Sequence, residues 1–229
     1  MIDQRSTGSG EPRFERRLRQ FTLLIARIAL GYLFFSQLFW KVPPHFGCTD
    51  PPGFVLTTVD NAGTWRRTGG LCDWIGVESV WSKREFAFFG TDFNNDGTPD
   101  VGLNLGPLRR INGAFVDRLV APHFATFGWL IFLTESAIAT SLFLGALTRA
   151  GAFLSLCLSV QLALGIAGVS APSADIQEWE WSYHLMVILS LLLLATPSGR
   201  ILGLDALLRT HLAGDVPRGG WRKWLLYLT

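Results

Sequence analysis

Residues 124–147 read FATFGWLIFLTESAIATSLFLGAL, and Glu135 is the only formal charge among these 24 residues. At ~1.5 Å rise per residue the run measures ~36 Å as a helix, enough to cross a ~30 Å hydrocarbon layer. Glu135 then lies roughly 17 Å from the outer end, close to the bilayer midplane. A carboxyl group at that depth is costly unless it is protonated or paired, so it must face protein or a wet cavity. Glu135 is therefore the first place to look for function.

The rest of the chain agrees with a lipid-embedded protein. It has 229 residues, 49% hydrophobic and 17% charged, with mean hydropathy +0.30, which is apolar for a soluble domain of this size. Nine Trp and 17 Phe supply material for interfacial belts. A net charge of +2 is too small for a nucleic-acid footprint, so nucleic acid is not an expected partner. No repeat period, low-complexity tract, Rossmann fingerprint or Walker fingerprint is present.

Four spans are expected: 21–42, 123–147, 150–169 and 179–196. The first is interrupted by Arg27, Gln37 and Lys41 and stopped by Pro43-Pro44; the fourth ends before Pro197. Residues 1–20 form an Arg-rich tail with no cleavable signal pattern, and 197–229 form an interfacial C-terminal segment. Arg-rich termini and Arg149 in the tight second-to-third connection contrast with SAPSADIQEWEW, which holds acids and no Lys or Arg. The positive-inside rule puts both termini in the cytoplasm of a plasma (inner) membrane and residues 43–122 outside.

The insertion 43–122 is too long to be a bare connector and is expected to fold as a small external domain. Cys48 and Cys72 both fall in it, on the oxidising side. They fit a disulfide closing a 25-residue loop, worth about 3 kcal/mol; two free thiols are the alternative. Cys157 reads as a small buried hydrophobe within the third span. The sharpest local motif places oxygen ligands at Asp92, Asn94, Asp96 and Asp100, with Gly97 for the turn and the Thr98 carbonyl completing the set. It resembles the DxNxDGxxD calcium loops of integrin-type repeats and dockerins. Leu103 stands where an EF-hand needs Glu, which points to a modest structural Ca2+ site; a solvated Asp/Gly turn is the alternative. In 107–121, Leu108, Ile111, Phe115 and Leu119 recur at helical spacing opposite Arg109, Arg110 and Arg118. This is an amphipathic helix, either on the outer membrane surface or packed inside the external domain.

Depth sorts the other polar residues. Arg27 lies ~9 Å inside the cytoplasmic end of the first span and either reaches toward the midplane or snorkels inward. Gln161 sits near the depth of Glu135. Lys41 and His184 fall near the outer surface, too far along the membrane normal to meet Glu135 directly without a kink or a bridging water. Trp181 and Tyr183 read first as an aromatic belt. Ala137, Ser141 and Gly145 form a small-residue stripe that allows a neighbouring helix to approach.

The segments ARIALGYLFF…WK, LTESAIATSLFLGALTRAG and LLLLATPSGRILGLDALL resemble the DoxX/DoxD family of four-helix membrane proteins. Arg27 and Lys41 bracket the first helix in that pattern. Glu135 precedes Gly145, Thr148 and Arg149, and Gly199, Arg200, Leu204 and Asp205 close it. The resemblance covers the four spans, about 120 residues, through short motifs matched in order and spacing; the long insertion departs from the compact members. It implies a subunit of a quinone-linked redox complex of the thiosulfate:quinone oxidoreductase type.

The overall expectation is an all-α membrane protein. It is a four-transmembrane-helix bundle with a small external insertion domain stabilised by a disulfide and calcium. Glu135, Arg27 and His184 are the catalytic candidates; Lys41, Gln161, Trp181 and Tyr183 are the quinone-binding candidates. Lipid and further subunits of a membrane complex are the expected partners, because no haem, CxxC or iron–sulfur motif supplies electrons. The alternative is a non-catalytic scaffold subunit whose external domain docks a partner.

Overall fold

The computed structural model describes residues 12–48, 70–71, 88–91, 101–104, 106–166, 174–213 and 227–228. Long helices dominate them: α1 (Arg13–Leu38), α3 (Phe124–Leu144), α4 (Thr148–Ile166) and α5 (Ala174–Ala195). Shorter elements are a hairpin of β1 (Phe88–Thr91) and β2 (Val101–Asn104), then α2 (Gly106–Phe115) and α6 (Leu204–Ala213). α1 packs along α3, α3 along α4, α4 along α5, and α5 back on α1, so the four long helices close a ring.

α1 and α3 are long and apolar enough to cross a membrane; the apolar stretches of the other two, Thr148–Leu164 and Ser182–Ala195, are shorter. The interior is built from residues one turn apart: Leu30 and Phe34 of α1 against Ile138 and Leu142 of α3, with Ala152, Met186 and Leu193 completing the cluster. Gly31 allows the close α1–α3 approach, because a Cβ there would meet the Leu142 Cβ at 3.2 Å. Serines occupy the α4–α5 seam. Ser155 and Ser190 share a buried 2.7 Å hydrogen bond, and the Ser190 hydroxyl also bonds the Met186 carbonyl. Large apolar side chains instead point outward, among them Phe21 and Tyr32 of α1, Leu133 of α3, Phe153 of α4 and Ile188 of α5.

Helix ends follow local chemistry more than the span of apolar residues. α1 begins at Arg13, well before the expected residue 21, because its Arg-rich first turns are helical and exposed. It ends at Leu38, and Phe39–Trp40 turn the chain before Pro43-Pro44. α3 stops where Gly145 adopts a left-handed conformation, φ +63, and its N–H returns to the Ser141 carbonyl. Asp205 starts α4 from across the chain, its carboxylate accepting from Leu147 N–H at 2.6 Å and Thr148 N–H at 3.0 Å.

The small-residue stripe of α3 does not serve one neighbour. Ala137 is exposed, Ser141 lies against Gly151 of α4, and Gly145 lies beneath Arg27 and Gly203. α2 is helical as expected, and Leu108, Ile111, Phe115 and, in the turn beyond its end, Leu119 are exposed. The inward face is instead Asn112, Val116 and Val120. Val116–Val120 form a single π-helical turn closed by the Ala121 N–H to Val116 carbonyl bond, 2.8 Å. With Phe46 and Leu71, Val116 and Val120 make a second apolar cluster over the start of α3. Gly128 leaves room for the Phe46 ring, which a Cβ would approach to 2.8 Å.

Cys48 is disulfide-bonded and Cys157 is a free thiol, exposed rather than buried. Cys72, the expected partner of Cys48, and the calcium-type loop Asp92–Asp100 lie outside the described residues. That loop connects two paired strands, since Thr91 is in register with Val101.

Gly145→Ala is expected to lower the thermal midpoint of the detergent-solubilised chain by several degrees. Its Cβ would fall 2.7 Å from both Arg27 Nη1 and the Gly203 Cα, on backbone that alanine disfavours. An unchanged midpoint in a thermal melt followed by circular dichroism would contradict this packing.

Candidate functional site

The charged residues of the bundle sort into two groups at different depths. At the end where α3 passes into α4, Arg27 is 1% exposed and its guanidinium satisfies backbone carbonyls. Nη1 donates to Ser198 at 2.8 Å and to Ile201 at 3.0 Å, and Nη2 donates to Leu202 at 3.4 Å. These carbonyls belong to the turn after α5, where the helix no longer supplies partners. The Asp205 N–H donates to the Gly145 carbonyl at 2.8 Å, while its carboxylate caps α4. Gly199 has no room for a Cβ between Asp205 and Thr148. Arg27, Gly145, Thr148, Gly199 and Asp205 thus form one polar corner, in which the Arg27 Nη atoms and the Asp205 carboxylate are engaged by backbone groups.

Glu135 lies ten residues further along α3, ~15 Å away along the helix axis. The structure does not bring Arg27 to it. Its partner is Lys41: Nζ lies 2.5 Å from Oε1, and both side chains are buried. The expectation that Lys41 lies too far along the normal is corrected here. That reading extended α1 as a straight helix to residue 42. α1 in fact ends at Leu38, the Lys41 N–H turns back onto the Leu38 carbonyl at 3.1 Å, and the long aliphatic stem runs into the bundle. The ammonium also lies 4.5 Å from the centre of the Trp40 ring, and Trp40 Nε1 donates to Gln37 Oε1 at 2.9 Å.

The pair sits in the wall of a cavity of about 940 Å³ between α1, α3, α4 and α5. Its lining is mostly apolar, with Leu33, Phe34, Leu130, Ile131, Leu158 and Met186 among the walls. Leu71, Val116 and Val120 close the end beneath α2. A few polar groups converge on this space: Gln37, Thr134, Gln161, Ser182 and Tyr183, besides the ion pair. Glu135 Oε2 is buried and has no hydrogen-bond partner among the described residues.

Four of the expected site residues therefore share one cavity: Glu135, Lys41, Gln161 and Tyr183. His184, next to Tyr183 but about 100° further round α5, does not line it. The Trp181 side chain lies outside the described residues. Sequence reasoning missed Gln37 and Trp40 as wall residues, although Gln37 stands one helical turn before Lys41 within an apolar run. Among the described residues no group of three or more His, Cys, Asp or Glu side chains converges to hold a metal.

No family model, curated protein or solved structure matches the chain.

A buried ion pair is strongly destabilised when one partner is removed, by about 3–5 kcal/mol, because the other charge is left uncompensated. Lys41→Met and Glu135→Met are each expected to destabilise the chain by this order. The double variant Lys41→Met/Glu135→Met is expected to lose much less than the sum of the two. Additive losses in denaturant unfolding would show that the two side chains do not act as a pair.

Proposed function

We propose that the chain is an integral membrane subunit of a quinone-linked redox complex, with the Lys41–Glu135 cavity as its quinone site. One observation carries this reading: a buried, mutually neutralised ion pair in the wall of an apolar cavity inside a helical bundle. Ligand cavities of ~300–1,000 Å³ that are mostly apolar, with a few convergent polar groups, suit a ring with part of a lipid tail. Lys41, Glu135, Gln161 and Tyr183 are the polar groups offered to the ring, and the hydrophobic walls suit the tail. When bound, a quinone supplies two-electron, two-proton redox chemistry that no side chain here provides. The chain's own part is to exclude water and to hold a carboxylate at a buried position where protons must be handed over. The DoxX/DoxD resemblance points the same way.

A four-span topology is part of this proposal. Two helices meet the length and hydropathy needed to cross a membrane. The outward apolar side chains of all four, set against serines in the α4–α5 seam, support the same placement for α4 and α5. Positive charge at Arg149, Arg200 and Arg209 gathers at the Arg27 end, so that end is assigned to the cytoplasm and the insertion to the outside. There a Cys48–Cys72 disulfide and a calcium ion at Asp92, Asn94, Asp96, Thr98 and Asp100 would stabilise the insertion. Electrons come from a partner subunit.

The purified full-length chain in mild detergent is expected to bind a short-tailed ubiquinone analogue saturably, read by calorimetric titration. Leu158→Trp, which fills the cavity, is expected to abolish that binding while the chain stays folded by circular dichroism. Absence of saturable binding by the unaltered chain would overturn the quinone-site reading.

A further inference from the structure

The ion pair leaves the cavity chemically lopsided. Lys41 Nζ donates to Glu135 Oε1, whereas Glu135 Oε2 is equally enclosed and accepts from no described residue. Glu135 is 4% exposed, so this oxygen is not served by bulk solvent. A buried carboxylate oxygen without a donor is expensive, and a hydrogen bond made to it is stronger than one between neutral groups. Whatever head group enters the cavity is therefore favoured if it brings an O–H or N–H.

Charge narrows the class further. Lys41 and Glu135 together sum to zero, so a phosphate or carboxylate head would add an uncompensated charge to an apolar enclosure. A neutral head group carrying a hydroxyl fits. Resting on the quinone-site reading above, we infer that the cavity selects the reduced, hydroxyl-bearing form of a lipid-soluble quinone over the oxidised form, with Glu135 Oε2 as the acceptor that distinguishes them. The oxidised ring presents only carbonyl acceptors, which meet Oε2 as acceptor against acceptor. The hydroquinone presents phenolic donors on a ring of nearly the same shape. The two forms differ by two electrons and two protons. A site that holds the hydroquinone more tightly raises the midpoint potential of the bound couple, by about 30 mV for each tenfold ratio of affinities. Such a site favours arrival of electrons on the quinone rather than their withdrawal.

Three ligands with the same short tail test this on the full-length chain in detergent under anaerobic conditions: the hydroquinone, the quinone, and the dimethyl ether of the hydroquinone. Dissociation constants are read by calorimetry. The hydroquinone is expected to bind about tenfold or more tightly than either of the others, the ether matching its shape but lacking donors. Glu135→Gln, whose amide both donates and accepts, is expected to bring hydroquinone and quinone within about twofold of one another. Equal binding of the hydroquinone and its ether by the unaltered chain overturns the inference while leaving the cavity a quinone site. Retention of the full preference in Glu135→Gln also overturns it. Failure of all three to bind removes the quinone-site reading itself.

Discussion

A lysine ammonium in contact with a carboxylate, both withdrawn from water inside an apolar bundle, sets the terms for the rest of this molecule. Neither Lys41 nor Glu135 is tolerable at its position alone, and each removes most of the cost of the other. The contact dictates local structure on both sides. α1 has to end at Leu38 so that Lys41 can turn its stem inward, and α3 has to present Glu135 to the interior and not to its outward apolar face. Gln37 in the last turn of α1 and Trp40 in the turn that follows flank the lysine. The side chains around the pair leave a mostly apolar cavity between the helices.

The two ends of the bundle divide the work. At one end Arg27 and Asp205 complete the hydrogen bonding of the backbone where α5 terminates and α4 begins. Gly145, Gly199 and Gly203 are small there because the guanidinium and carboxylate occupy the space a Cβ needs. This corner ties α1, the α3–α4 turn and the chain after α5 together. At the other end, Phe46, Leu71 and the π-helical turn cover the start of α3 and close the cavity. The short polar motifs of the helices segregate the same way: Arg27, Gly145, Thr148, Gly199 and Asp205 fall in the corner, while Lys41 and Glu135 fall at the cavity. Much of that pattern thus describes how the ring of helices is pinned, and only its two inward charges face the enclosed space.

Part of this was legible in the chain itself. A lone acid in a 24-residue apolar run marks a position that must be paired or used, and Glu135 lines the cavity wall. Gln161 was legible from depth, because helices set side by side bring equal depths together, whereas Tyr183, read first as an aromatic belt, lines the cavity as well. The amphipathic helix before α3 was legible from its spacing, but which of its faces turns inward was not: Leu108, Ile111, Phe115 and Leu119 are exposed while Asn112 is enclosed. Hydrophobic periodicity identifies a face and, where one side meets lipid, cannot say which side that is.

Composition and periodicity by themselves determined that the chain is built of apolar helices and marked the acid that has no inexpensive place among them. Those properties follow from the rise of a helix and the cost of a charge in hydrocarbon, and both act along a single segment. Only the tertiary structure decided which cation meets that acid. The choice between Arg27 and Lys41 depends on where α1 ends and on the carbonyls left open after α5, which are 171 to 175 residues from Arg27 in the chain and adjacent in space. Ion pairing is settled by the closing of the helical ring, and no local pattern carries that information.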